Sequence, residues 1–132
     1  MINKQSLLCT KYIRSIICDN IPALQSRVYA IDARQGTKLP FAVLVRDNVS
    51  ATTLSKDGCV EDTVAVSVYV VSKGYDEGVK IANDIRNLLD RSRYATNEVR
   101  IPLIEFSGAR EVFTDTPTQA FIQIIQFNVK IQ

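Results

Sequence analysis

The chain has 132 residues, 46% of them apolar, and its 16 basic and 14 acidic residues leave a formal charge of +2. That size and apolar content suit one domain with one core, burying roughly two-thirds of its unfolded surface. The basic residues are scattered from Lys4 to Lys130 with no arginine-rich run, which excludes the concentrated basic stripe of a nucleic-acid binder.

Residues 1–20 mix basic and apolar side chains, but Lys11 and Arg14 interrupt every apolar run. A secretory signal needs about 7–15 uninterrupted apolar residues and a membrane span about 18, so a soluble, unsecreted chain is expected. Leu7, Leu8, Ile13, Ile16 and Ile17 recur at three- and four-residue intervals, predicting a helix over about 4–18 with Asn3 or Ser6 as its cap. After Asn20-Ile21-Pro22 a short strand is expected over 27–31, then a polar loop over 32–38 containing Arg34, Gly36 and Lys38. Phe41, Val43 and Val45 alternate with Ala42, Leu44 and Arg46, a strand whose first part is buried on both faces.

Strand-like spacing continues through the Thr- and Ser-rich stretch 49–55 to Asp57-Gly58, a strong hairpin-turn dipeptide. An unbroken strand over 40–56 would span roughly 55 Å at ~3.3 Å per residue, against a diameter of about 36 Å for a globule of this length. The hairpin therefore overhangs the body, bends, or is interrupted at Asp47-Asn48. Two readings of 47–61 stand side by side, a mobile loop and a protruding arm that reaches a neighbouring subunit.

The strand over 63–72 sets Val64, Val66, Val68 and Val70 on one face and Ala65, Ser67, Tyr69 and Val71 on the other, the pattern of a central strand. A second helix over about 76–91 carries Val79, Ala82, Ile85, Leu88 and Leu89 on its core stripe. Asp76 and Glu77 near its start and Arg91 and Arg93 near its end suit the helix dipole. A polar connector over 92–98 leads to a strand over 99–106, and a second connector over 107–118 contains Arg110. The final strand alternates Ile125, Phe127, Val129 and Ile131 with Gln126, Asn128, Lys130 and Gln132. The fold class is α+β in a single domain over 1–132, in the order helix, three strands, helix, two strands. Its sheet is mixed and mainly antiparallel, with both helices on one face and the Gln and Asn side of the last strand open to solvent or a partner.

Chemistry is limited by what is missing. The sequence contains no histidine, so Ser-His-Asp and Cys-His systems cannot be built and the commonest general base is absent. The cysteines, Cys9, Cys18 and Cys59, are too few for an all-thiolate zinc site. Their odd number, without CxxC spacing, suits a reducing compartment. Asp57, Glu61 and Asp62 are the densest carboxylates, but their spacing matches no EF-hand. The five glycines match neither phosphate-binding pattern. Gly74 and Gly78 instead suit a chain break and a close approach of helix to sheet. No cofactor, metal or catalytic residue is expected.

From about Ser26 to Gln132 the chain resembles the tail-terminator or tail-completion proteins of long-tailed bacteriophages and prophages, the family of the lambda-type minor tail protein U. The resemblance rests on Arg27-Val28-Tyr29 before a polar loop, Leu39-Pro40-Phe41 opening a strand, and the hairpin ending at Asp57-Gly58. It continues with VAVSVYVVS followed by Tyr75-Asp76-Glu77 and a helix ending Leu88-Leu89-Asp90, then Phe113-Thr114-Asp115 before the last strand. It implies a non-enzymatic virion protein forming a ring, commonly of six copies. That ring would sit on the last ring of tail-tube protein at the head-proximal end of the tail, after assembly in the host cytoplasm. There it would stop tube growth and offer a surface to the head-tail connector protein. A closed ring needs two different patches on each subunit, and Arg46, Thr52, Thr53, Lys56 and Asp57 on the hairpin are candidates for its interface. Arg34, Lys38 and Arg110 are candidates to face the tube or connector, although no family motif assigns them. The alternatives are a head-to-tail connector or neck protein and a non-viral small-ligand module.

Overall fold

The structure, a computed structural model, describes residues 6–24, 26–30, 38–53, 60–95, 100–114 and 120–131. A 3-10 turn, Ser6–Leu8, leads into helix α1, Cys9–Asn20, and a second such turn covers Pro22–Leu24. Strands β1, Val28–Ala30, β2, Phe41–Thr53, and β3, Val60–Ser72, precede helix α2, Tyr75–Leu89. Four strands follow: β4, Tyr94–Ala95; β5, Arg100–Ile101; β6, Leu103–Thr114; and β7, Ala120–Ile131. Five of them form a sheet in the order β1-β2-β3-β7-β6, and β4 pairs with β5 in a separate ladder. Only β1 and β2 run parallel; the other pairs of the main sheet are antiparallel. The expected α+β class, strand-helix-strand order and central position of β3 all hold.

Residues opposite one another across a ladder share a face. Leu44, Val68, Ile125 and Ala109 therefore lie in one row, and Val64, Val129 and Ile104 in another. Both helices close over this inner side, α1 against β1 and β2, α2 against β3 and β7. The core is built from Cys9, Ile13 and Ile17 of α1, Ile81, Ile85 and Leu89 of α2, and the valines of β3 between them. Phe127 of β7 packs edge-on to Phe106 of β6, with ring centroids 6.0 Å apart, and the Arg86 guanidinium caps Phe106 at 4.2 Å. Two expectations at the helices change. Val79 lies off the core stripe and is 37% exposed. Among the described residues no side chain caps α1: Leu8 holds the cap position and Ser6 lies in the preceding turn, while Asn3 is outside the described residues.

Two β-bulges account for the largest departures. In β2 the register shifts between Arg46 and Asn48, so Arg46 faces Val66 while Val49 faces Val64. The long hairpin thus keeps an inner face on both sides of Asp47, and β2 continues as strand to Thr53, past Asp47 where the loop alternative begins. In β6 the register shifts between Phe106 and Gly108. Strand pairing therefore persists to Thr114, and Arg110, expected on a connector, stands in β6 opposite Ile124. Pro102 separates β5 from β6, dividing the strand expected over 99–106. Tyr94–Ala95, expected within a polar connector, forms β4.

Helix α2 begins hard against β3. The Ser72 hydroxyl donates to the Gly74 carbonyl at 2.7 Å, and a Cβ at Gly78 would lie 2.4 Å from Ser72 Oγ and 3.4 Å from its Cβ. A side chain at position 78 must therefore displace the Ser72 hydroxyl. Gly78→Ala forces the Ser72 side chain out of its hydrogen bond and should destabilise the subunit by about 1–3 kcal/mol. Thermal and urea unfolding should show part of that loss recovered in the Gly78→Ala, Ser72→Ala double variant, whose two effects are coupled through one contact.

Candidate assembly surfaces

The side of the sheet away from the helices has two characters. At the end where β2 begins and β3 finishes, Val43, Val45, Tyr69, Val71 and Ile122 line a shallow apolar groove. Tyr29 and Phe41 pack edge-on at its border, with centroids 6.3 Å apart. Val112 of β6, opposite Ile122, extends it and is 42% exposed. No described element covers this groove, since both helices occupy the inner side. At the other end the same face is polar: Asn48, Ser50, Glu105 and Gln126 are exposed, Asn128 and Lys130 half-buried. Between the two ends the buried Ser67 hydroxyl donates to the Asp47 carboxylate, a side-chain bond across β2 and β3 at the bulge. The open Gln and Asn side of β7 was expected. The apolar end was only half visible, in the observation that β2 starts with apolar residues at both parities.

The hairpin residues divide. Arg46 is exposed but engaged: its Nη1 donates to the Leu7 carbonyl at 2.6 Å, tying the turn before α1 to the bulge. Thr52 and Thr53 lie in β2 opposite Glu61 and Val60. Lys38 is exposed just before β2, and Arg110 is exposed on the outer side of β6. Arg34, Lys56 and Asp57 lie outside the described residues. The structure thus brings Arg46, Thr52 and Thr53 onto one strand, and sets Lys38 and Arg110 apart from them.

Near the start of α2 the Glu111 carboxylate accepts from Gln123 Nε2 at 3.0 Å. Hydrogen bonds from Gln123 and then Tyr75 hold it below the usual carboxylate range, while the bond to Glu111 raises the Tyr75 phenol. Tyr75 also packs edge-on to Phe121 at 5.7 Å. On the helical side a groove between Ile21, Pro22, Ile81 and Leu88 is bordered by Glu77, Lys80 and Asp84. Among the described residues no three Cys, Asp or Glu side chains gather as metal ligands. No described helix is long and apolar enough to cross a membrane. What this geometry offers is surface: an uncovered apolar sheet face, strand edges and a helical groove.

The chain is an α+β sheet protein with exposed apolar and edge surfaces, and comparison with known proteins specifies its class. Residues 18–131 match the family model described as tail completion protein gp17. The chain belongs to that family and is a structural protein of phage tails. A chain from the virion of a native gene transfer agent particle is similar in fold, with a TM-score of 0.66 at 13% identity over 90% of this chain and 94% of that one. A second solved chain has a TM-score of 0.58 at 18% identity, covering 97% of this chain and 95% of its own. None of the curated proteins matches.

Cys9 gives a pH signature of the α1 contact with the sheet. It is fully buried, and burial pushes its thiol up to about 12 from an ordinary 9.0, partly offset by Arg46. The folded state holds the proton more tightly, so this contribution is intact below pH 9 and is lost as pH rises from 9 to about 12. Its slope approaches ~1.4 kcal/mol per pH unit. Unfolding free energies measured across that window should fall more steeply for the native chain than for Cys9→Ala.

Proposed function

We propose that the chain closes into a ring, of six copies by resemblance to its family, and caps the phage tail tube. The ring seats on the last layer of tail-tube protein, ends tube polymerisation, and presents its opposite face to the head-tail connector. It acts at the head-proximal end of the tail after assembling in the host cytoplasm. The observation that carries this reading is the family match over residues 18–131. Support comes from the apolar end of the outer sheet face, which no described element covers and which suits a subunit completed by its neighbours better than a self-sufficient monomer. The small formal charge lets like copies approach without strong repulsion.

The test is growth of the cognate tail tube with and without the purified protein, followed by electron microscopy of tube ends. Addition should arrest elongation at sub-stoichiometric amounts and place a ring of extra density at one end. Tubes that grow unchanged overturn tube capping, and binding to the portal side alone favours the neck-protein alternative. Val112→Asp combined with Tyr69→Asp should leave the far-ultraviolet circular dichroism unchanged and weaken capping at least tenfold.

A further inference from the structure

Among the described residues the two edges of the sheet are each covered along half their length, and the halves left uncovered there fit one another. In β2 the Ala42 amide donates to the Arg27 carbonyl at 2.9 Å, away from β3. That sets the alternation: residues opposite Val70, Val68, Val66, Val64, Asp62 and Val60 turn their amides outward. The β1 register ends at Leu44. Beyond it the outward amides and carbonyls of Val49, Ala51 and Thr53 have no strand beside them among the described residues.

In β6 the outward set is fixed in the same way. The Ile104 amide donates to the Ser92 carbonyl at 3.1 Å and the Phe106 amide to Asp90 Oδ1 at 3.0 Å, so the segment leaving α2 covers the first half of this edge. After the bulge the set passes to Ala109, Glu111 and Phe113, opposite Ile125, Gln123 and Phe121. There the edge is uncovered among the described residues.

We propose that these halves join between copies of this chain, the Ala109–Phe113 edge of one lying antiparallel along the Val49–Thr53 edge of the next. Four observations converge. Each free segment presents its backbone groups at three alternate residues, Val49, Ala51 and Thr53 against Ala109, Glu111 and Phe113. Both sets lie on the inner face, so the joined sheets keep their helices on the same side. In the order β2-β3-β7-β6 alternate strands run oppositely, so β6 meets the next copy's β2 antiparallel without inversion. The covered halves lie at opposite ends of the two edges, which makes a lap joint. The β2 edge is also unguarded, because Asn48 to Thr53 contains no charge and no proline, the protections an edge exposed in a lasting monomer normally carries. The contact is heterologous. It rests on the ring reading only in naming a second copy as the occupant.

Proline tests the joint without touching the ladder within the subunit, since the amides of Ala51 and Ala109 face outward. Sedimentation equilibrium of the full chain should show self-association, weakened at least tenfold by Ala51→Pro and by Ala109→Pro. Mixed, the two variants should form a one-to-one pair that grows no further, because one retains a working β6 edge and the other a working β2 edge. Ala51→Lys and Ala109→Lys repeat the test should either proline variant melt early. A wild-type chain that stays monomeric at its solubility limit overturns the joint. So does association unaffected by the edge variants, or a dimer lost with Ala51→Pro but intact in Ala109→Pro, which would be a symmetric β2 pair. The tube assay is read separately, so failure of the joint leaves capping standing.

Discussion

Backbone pairing on both sides of β3 holds the molecule together. Its residues face β2 on one side and β7 on the other across almost the whole strand. The inward row Val64, Val66, Val68 and Val70 is almost completely removed from solvent. Four β-branched side chains at period two suit a pleated surface covered by helices. Helix α2 is fixed to the same strand within two residues of its end by Ser72 and the gap at Gly78. The position of the helix on the sheet is thereby set by chain connectivity as well as by packing.

The bulges at Asp47 and Ser107 change which sequence parity of β2 and of β6 lies on the helix-covered side. The passage of the outer surface from apolar to polar follows the residues themselves, since unbulged β7 runs from Ile122 and Ile124 to Gln126 and Asn128 on that face. One extra residue in β2 and one in β6 restart the alternation midway, and past it the outer edge of each strand has no strand beside it among the described residues. Asp47 also receives the Ser67 hydroxyl, so its carboxylate is satisfied within the sheet.

The elements that the residues made plain are those with an unbroken period. The valines of β3, the last residues of β7 and most of the α2 stripe are each read by a single periodicity, and each falls where expected. Periodicity alone ends β6 at Phe106, because the bulge resets its alternation and because Arg110 and Glu111 resemble a connector when pairing is unknown. Val79 fits the stripe by spacing yet is exposed, because helical spacing does not reveal how far a sheet extends beneath the first turn of a helix. The assembly surfaces were harder to see. Arg46 is an attractive hairpin cation in sequence, yet its hydrogen bond to Leu7 depends on folding across 39 positions. The groove around Tyr69 and Ile122 joins residues from three strands, and apolar residues on a two-faced strand do not say which face a helix will cover.

The pairing of β3 with β7 has a kinetic consequence. β2 with β3, and β6 with β7, are neighbours in sequence, only a few residues apart, so each pairing has a low entropic cost. Val68 meets Ile125 only after α2 and everything to the end of β6 have been traversed. Sequence-distant pairing of this kind slows folding. It leaves two hairpins with unsatisfied inner edges until the seam closes, and a newly made chain is then most exposed to pairing with the wrong molecule.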